Sequence, residues 1–129
     1  MTRRTERIGE QLRGELARML REEVSDPRIG LVTLTRVDVS PDLAQALVFW
    51  SPLDPRVERD ATALEASAAG LASAAAFLRR RVAKELALRR SPALDFRYDP
   101  SLERGAQTLE LLRDVQRDEQ EDTEDGQET

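Results

Sequence analysis

Between Phe77 and Arg90 the chain places six cationic side chains, Arg79, Arg80, Arg81, Lys84, Arg89 and Arg90, against a single carboxylate, Glu85. Arginine carries a permanent charge on a planar fork of N–H donors, a geometry that can hold two phosphate oxygens at once. Cations this closely spaced repel one another unless something anionic lies beside them. Phosphate contact is the chemistry such a stretch supports. If about four phosphates are neutralised, log K should fall against log salt with a slope near −3 to −4. A solvated, salt-bridged surface is the alternative, and only Glu85 is at hand locally to build it. Arg28 and the N-terminal Arg3, Arg4 and Arg7 could extend the cationic set.

Other chemistries find little support. The chain has no histidine and no cysteine, which removes the commonest general base, the usual zinc ligands, a thiol nucleophile and any disulfide. No glycine-rich phosphate loop is present. Asp95 and Asp99 lie on one face of a predicted strand with Arg97 between them, which reads as an ion-pair ladder rather than an acid–base pair. No catalytic residue, metal site or cofactor is expected. The aromatic residues, Phe49, Trp50, Phe77, Phe96 and Tyr98, mostly alternate into the predicted core, and core burial is expected for Trp50 as well. Recognition by shape and backbone therefore suits this residue set better than reading of unstacked bases.

The basic stretch sits on a helix whose Leu78, Val82 and Leu86 recur every four residues and face a core. Upstream, residues 5–24 form an amphipathic pattern with Ile8, Leu12, Leu16, Met19 and Leu20 on one side. Asp26-Pro27-Arg28-Ile29-Gly30 stops that helix. Leu31 to Val39 reads as a β-strand, but Val32 and Leu34 fall on the opposite face from Val37 and Val39, which predicts a bulge or burial on both faces. Ser40-Pro41-Asp42 is a turn, and Ala44 to Ser51 is a second strand, forming an antiparallel hairpin with the first.

From Val57 a helical pattern continues past Val82. About 34 residues of straight helix would span about 50 Å, longer than the roughly 35 Å diameter of a domain this size. A break into two helices is expected within Gly70 to Ala76. The stretch around Leu94, Phe96 and Tyr98 reads as a third strand, and Leu102, Ala106, Leu109 and Leu112 as a last helix to about Arg113, led by Asp99 and Pro100.

At 129 residues the chain suits one domain. Its net charge of −5 hides an asymmetry, because residues 118–129 hold seven acidic side chains and no basic one, leaving 20 basic against 18 acidic elsewhere. A domain over 1–115 followed by an acidic disordered tail over 116–129 is expected. If the tail folds back on the basic helix it competes with RNA. Deleting 118–129 should then tighten RNA binding at low salt, and unchanged affinity would dispose of that idea. No run of 18 apolar residues and no signal-peptide pattern appears, so a cytoplasmic protein with no membrane partner is expected.

The order helix, strand, strand, helix, helix, strand is that of the K-homology type II arrangement, an α+β fold with a three-stranded sheet and helices on one face. Several stretches sharpen this. Ser25-Asp26-Pro27-Arg28-Ile29-Gly30, Val37-Asp38-Val39-Ser40-Pro41-Asp42-Leu43-Ala44-Gln45-Ala46, Phe77-Leu78-Arg79, and Pro92 to Asp99 before Ser101 and Gly105 together resemble the ribosome-binding factor A family over roughly residues 3–115. The resemblance implies a single K-homology domain, in order α-β-β-α-(kink)-α-β plus a C-terminal helix. It further implies a non-enzymatic monomer that binds the small ribosomal subunit late in assembly. Contact with rRNA near the decoding region and the 5′ end, a part in rRNA processing, and importance in the cold belong to the same implication. Family members carry an Ala-x-Gly kink between the two helices. The matching triplet here is Ala74-Ala75-Ala76, with alanine where the family usually has glycine. Two other readings stay open: a generic K-homology protein acting on mRNA, and a protein-interaction domain that does not bind RNA.

Overall fold

The computed structural model describes residues 2–100. Six elements follow in order: α1 (Arg3–Glu22), β1 (Val32–Val39), β2 (Gln45–Pro52), the single turn α2 (Pro55–Glu58), α3 (Ala61–Glu85) and β3 (Ala93–Tyr98). The sheet runs β1-β2-β3, with β1 antiparallel and β3 parallel to the central β2. This α-β-β-α-α-β order is the expected K-homology type II layout. The expected C-terminal helix, the domain boundary at 115 and the acidic tail lie outside the described residues.

One face of the sheet builds the core. Leu34, Val37 and Val39 of β1 and Ala46, Val48 and Trp50 of β2 meet Leu12, Leu16 and Met19 of α1 and Leu71, Leu78 and Val82 of α3, all buried. The faulty alternation in β1 has its cause in a β-bulge. Leu34 pairs with Trp50 while Arg36 pairs with Phe49, which leaves Thr35 as the extra residue. That insertion flips the register parity, so Leu34 and Val37 face the same core. Its loose end is fastened by the Thr35 hydroxyl, which donates to the Asp99 carboxylate at 2.6 Å. Asp99 is thus held by β1 rather than forming a rung of the ladder expected with Arg97, which pairs with Asp95 at 2.7 Å.

α1 begins two residues earlier than the periodicity indicates because Thr2 and Thr5 form a reciprocal capping box. Gly9 lets α1 lie against β1, since a Cβ there would stand 2.5 Å from the Val37 carbonyl oxygen.

The break expected within Gly70 to Ala76 is corrected. α3 is one helix from Ala61 to Glu85, running through Ala74, Ala75 and Ala76. Alanine is the best helix former and here has no reason to leave the helical region. The long helical stretch is divided earlier instead, at Arg59 and Asp60, where the Asp60 carboxylate caps the Thr62 and Ala63 amides. The remaining 25 residues span about 37 Å, which a domain of this size can cover. By length and composition alone, α3 contains a stretch apolar enough to cross a membrane. It is instead the core helix: Leu71, Leu78 and Val82 are fully buried, and the turn after α1 docks on it. There Ser67 donates to the Arg28 and Ile29 carbonyls, and Ile29 sits where a Cβ on Gly70 would come within 2.7 Å of its Cγ1.

The alanine that does adopt a left-handed backbone is Ala87, with φ of 52°. It follows the C-cap Leu86, and the amides of Ala87 and Leu88 bond back to the carbonyls of Lys84 and Ala83. This is a Schellman motif with alanine at a position that usually holds glycine. Ala87→Gly should therefore raise stability by about 1 kcal/mol, read as a higher midpoint in urea.

Candidate nucleic-acid interface

Two groups stand out among the described cations according to their partners. Four arginines are clamped by an aspartate two residues away in sequence: Arg28 by Asp26 at 2.7 Å, Arg36 by Asp38 at 3.1 Å, Arg56 by Asp54 at 3.0 Å and Arg97 by Asp95 at 2.7 Å. These bonds hold the carboxyls of Asp26, Asp54 and Asp95 below their ordinary range. On the outer face of the sheet Arg36 also lies 4.3 Å from the centre of the Phe49 ring. That face carries arginine and an aromatic, but its charges are already neutralised.

The second group has no carboxylate within ion-pair range among the described residues. It comprises Arg3, Arg4, Arg7, Arg21, Arg79, Arg80, Lys84, Arg89 and Arg90, five of which belong to the basic stretch. Each residue of a helix turns by about 100°. On that count Ser73, Phe77, Arg80 and Lys84 form one exposed column directly opposite the buried Leu71, Leu78 and Val82. Arg79 flanks the column on the side of β3, where its Nε donates to the Ser91 carbonyl at 2.8 Å and the Ser91 hydroxyl returns a bond to the Arg79 carbonyl at 3.0 Å. These two bonds fix the connection that carries Arg89 and Arg90. At the other end of the column Arg28 Nη2 donates to the Ser73 hydroxyl at 3.2 Å, while its Nε and Nη2 also hold the Asp26 carboxylate.

Arg81 points the other way. Its guanidinium holds Glu23, at the C-cap of α1, with bonds of 2.9 and 3.1 Å. Glu23 is shared with Arg18, which also pairs with Glu15, Glu22 and Glu85. Glu85, the single carboxylate of the basic stretch, lies 3.5 Å from Arg18, acts on Arg81 at longer range, and makes no ion pair with a cation of α3 among the described residues. Arg81 and Arg18 lower the Glu23 carboxyl below its ordinary range. That contribution is present at neutral pH and is lost as pH falls through the lowered value. The pattern separates two adjacent arginines. Arg80→Met should weaken RNA binding about tenfold, whereas Arg81→Met should leave binding within about twofold and instead lower stability at neutral pH, a difference that vanishes as pH falls through the Glu23 value, both read by filter binding beside pH-dependent unfolding.

The N-terminal arginines divide as well. Arg4 joins Arg89 and Arg90 around a groove formed with the β1–β2 turn. Arg3 and Arg7 lie along another side of α1, beside Glu6 and Glu10. The structure thus leaves Arg79, Arg80 and Lys84 exposed on α3, ties Arg79 to the connection that carries Arg89 and Arg90, and gathers those two around one groove with Arg4. Arg81 is turned into a helix–helix ion pair, Arg28 is mostly committed to Asp26, and Arg3 and Arg7 stand apart. The sequence allows the N-terminal arginines to extend the basic set but does not single out Arg4 from Arg3 and Arg7, because its meeting with Arg89 and Arg90 is tertiary and leaves no local signal. Arg81 had one, since it lies about 100° round the helix from Arg80 and α1 ends in Glu22-Glu23.

The chain matches the model of the family described as ribosome-binding factor A over residues 4–112. It is 46% identical over 109 residues to a ribosome-binding factor A of Pseudomonas fluorescens, covering 84% of this chain and 80% of that one. It is 40% identical over 119 residues to one of Desulfitobacterium hafniense, covering 92% and 91%. Among solved structures, ribosome-binding factor A from Thermus thermophilus superposes with a TM-score of 0.61 at 24% identity, covering 73% of this chain and 94% of that one. A Thermus thermophilus model fitted into a cryo-electron microscopy map of a complex of the 30S subunit with ribosome-binding factor A gives a TM-score of 0.54 at 27% identity, covering 71% and 91%. The chain belongs to the ribosome-binding factor A family.

Proposed function

We propose that this protein binds the small ribosomal subunit and acts in its maturation and rRNA processing. The outer face of α3 and the connection to β3 supply the rRNA-binding surface. The observation that carries this reading is the sorting of charge. The arginines at 28, 36, 56 and 97 each have a nearby aspartate, whereas Arg79, Arg80, Lys84, Arg89 and Arg90, on α3 and its connection to β3, make no ion pair among the described residues, Asp42 acting on Arg90 only at longer range. Left alone such a cluster repels itself, and phosphates relieve that repulsion. The relative fitted into a 30S complex supports the small subunit as the partner.

In this reading the protein is a cytoplasmic monomer without catalytic activity, most needed in the cold as the family resemblance implies. A clamp for single-stranded mRNA fits less well, because no Gly-x-x-Gly occurs in α2 or α3 to hold a strand. The test is pelleting of the purified chain with small and large subunits across a salt series. Selective small-subunit binding with a log–log salt slope near −3 to −4 is expected. Equal binding to both subunits, or binding indifferent to salt, would overturn the reading.

A further inference from the structure

A groove of about 320 Å³ opens where the start of α1, the β1–β2 turn and the α3–β3 connection meet. Ile8, Leu43, Leu88 and Pro92 contribute apolar walls, and Arg4, Arg89 and Arg90 stand around it with Asp42. Leu43, at φ of 61°, and Ala87, at φ of 52°, are the only non-glycine residues with a left-handed backbone among those described, and both line this groove. They come from two connections far apart in sequence. Such backbone strain gathers at ligand clamps and is kept where the surroundings over-determine it. Each is held in that way: Leu43 by its amide on the Ser40 carbonyl at 2.8 Å, and Ala87 by the cap that ends α3.

We propose that this groove receives one unpaired nucleotide of the bound RNA, a suggestion that rests on the RNA-binding reading above. The volume lies at the small end of the range of about 300–1,000 Å³ for ligand sites, which suits a single nucleotide rather than a folded segment. Aliphatic walls and guanidinium planes accept the faces of a base, and three arginines suit the flanking phosphates. Asp42 is the acceptor in a site otherwise made of donors. Its Oδ1 takes the Ser40 hydroxyl at 2.7 Å and the Ala44 amide at 3.1 Å, which fixes the carboxylate and leaves Oδ2 for a ribose hydroxyl or a base N–H. A purely apolar ligand would leave three arginines without partners, and the same three cations oppose a metal ion. A nucleotide satisfies walls, cations and acceptor together.

The test uses the full chain labelled with ¹⁵N and titrated with single-stranded hexa-adenylate RNA, with an abasic hexamer carrying the same phosphates, and with free adenosine monophosphate. Hexa-adenylate should shift the amides of Ile8, Leu43, Ala87 and Leu88, and the abasic strand should bind about tenfold more weakly. Arg4→Gln combined with Arg89→Gln should weaken hexa-adenylate by a similar factor without disturbing the rest of the spectrum. Shifts confined to the outer face of α3, or equal affinity for the abasic strand, would overturn the proposal. So would tighter binding of free adenosine monophosphate than of the hexamer, since it would mark a site for free nucleotides. Subunit pelleting of the same preparation separates the two readings: selective small-subunit binding beside a silent groove removes only the nucleotide pocket.

Discussion

Changing Arg80, Lys84, Arg89 and Arg90 together to glutamine should lower affinity for the small subunit on the order of 10³-fold and leave the fold intact. All four side chains are exposed and make no ion pair with another described residue, so the folded state loses little by their neutralisation. In the complex each can give a charge-assisted bond to phosphate. Taken near the low end for an exposed site, about 1 kcal/mol apiece, four such bonds amount to about 4 kcal/mol, or on the order of 10³ in Kd. The salt slope should flatten in parallel, from near −3 to −4 toward zero, because fewer counterions are released. Circular dichroism of the variant should match that of the parent. A fold-intact variant that binds as tightly as the parent would move the interface elsewhere.

Trp50→Ala should cost about 3–5 kcal/mol. Trp50 is 1% exposed at the end of the central strand, and its ring lies 5.7 Å from that of Tyr98 at an angle of 60°. Removing it opens a cavity beneath all three strands, next to the buried Ser51, whose hydroxyl donates to the Asp99 carbonyl. Domains of this size have total stabilities of about 5–15 kcal/mol, so this variant should melt at least about 10 °C lower and be partly unfolded at growth temperature. As the single tryptophan, Trp50 also reports on the parent. Its emission should be blue-shifted in the native state and move to the red in one cooperative urea transition.

Most of the fold could be read from local pattern. The stripe of Leu12, Leu16 and Met19, the alternation of Ala46, Val48 and Trp50, and the Asp-Pro-Arg turn each obey a single periodicity or a single backbone rule. Even the irregular β1 was informative, since its broken parity is the mark of the bulge at Thr35. The division of the long helix was harder to place. Chain length requires a division somewhere, but small residues at 74–76 invite close packing without obliging the helix to stop. Asp60, with donors two and three residues ahead, carried the stronger stop-and-start signal.

For the site, the cationic run itself was evident, but the role of each member depended on carboxylates from elsewhere in the chain. Glu23 claims Arg81, Arg18 claims Glu85, and Arg4 meets Arg89 and Arg90 only because α1 begins beside the α3–β3 connection. The left-handed Ala87 was equally hidden. Nothing in Lys84-Glu85-Leu86-Ala87-Leu88 names the residue that will close the helix without a glycine.

The absence of any native cysteine permits the most direct test of the interface. A lone cysteine placed by Ala76→Cys would sit on the exposed side of α3 near Arg80, and one placed by Asp95→Cys would sit on the outer face of the sheet. Each would carry a tethered iron chelate, and the bound small subunit would be probed for hydroxyl-radical cleavage of its rRNA. Strong, localised cleavage from position 76 and little from position 95 is the expected result. Cleavage from position 95 with none from position 76 would contradict the account, and would place the RNA on the sheet rather than on α3.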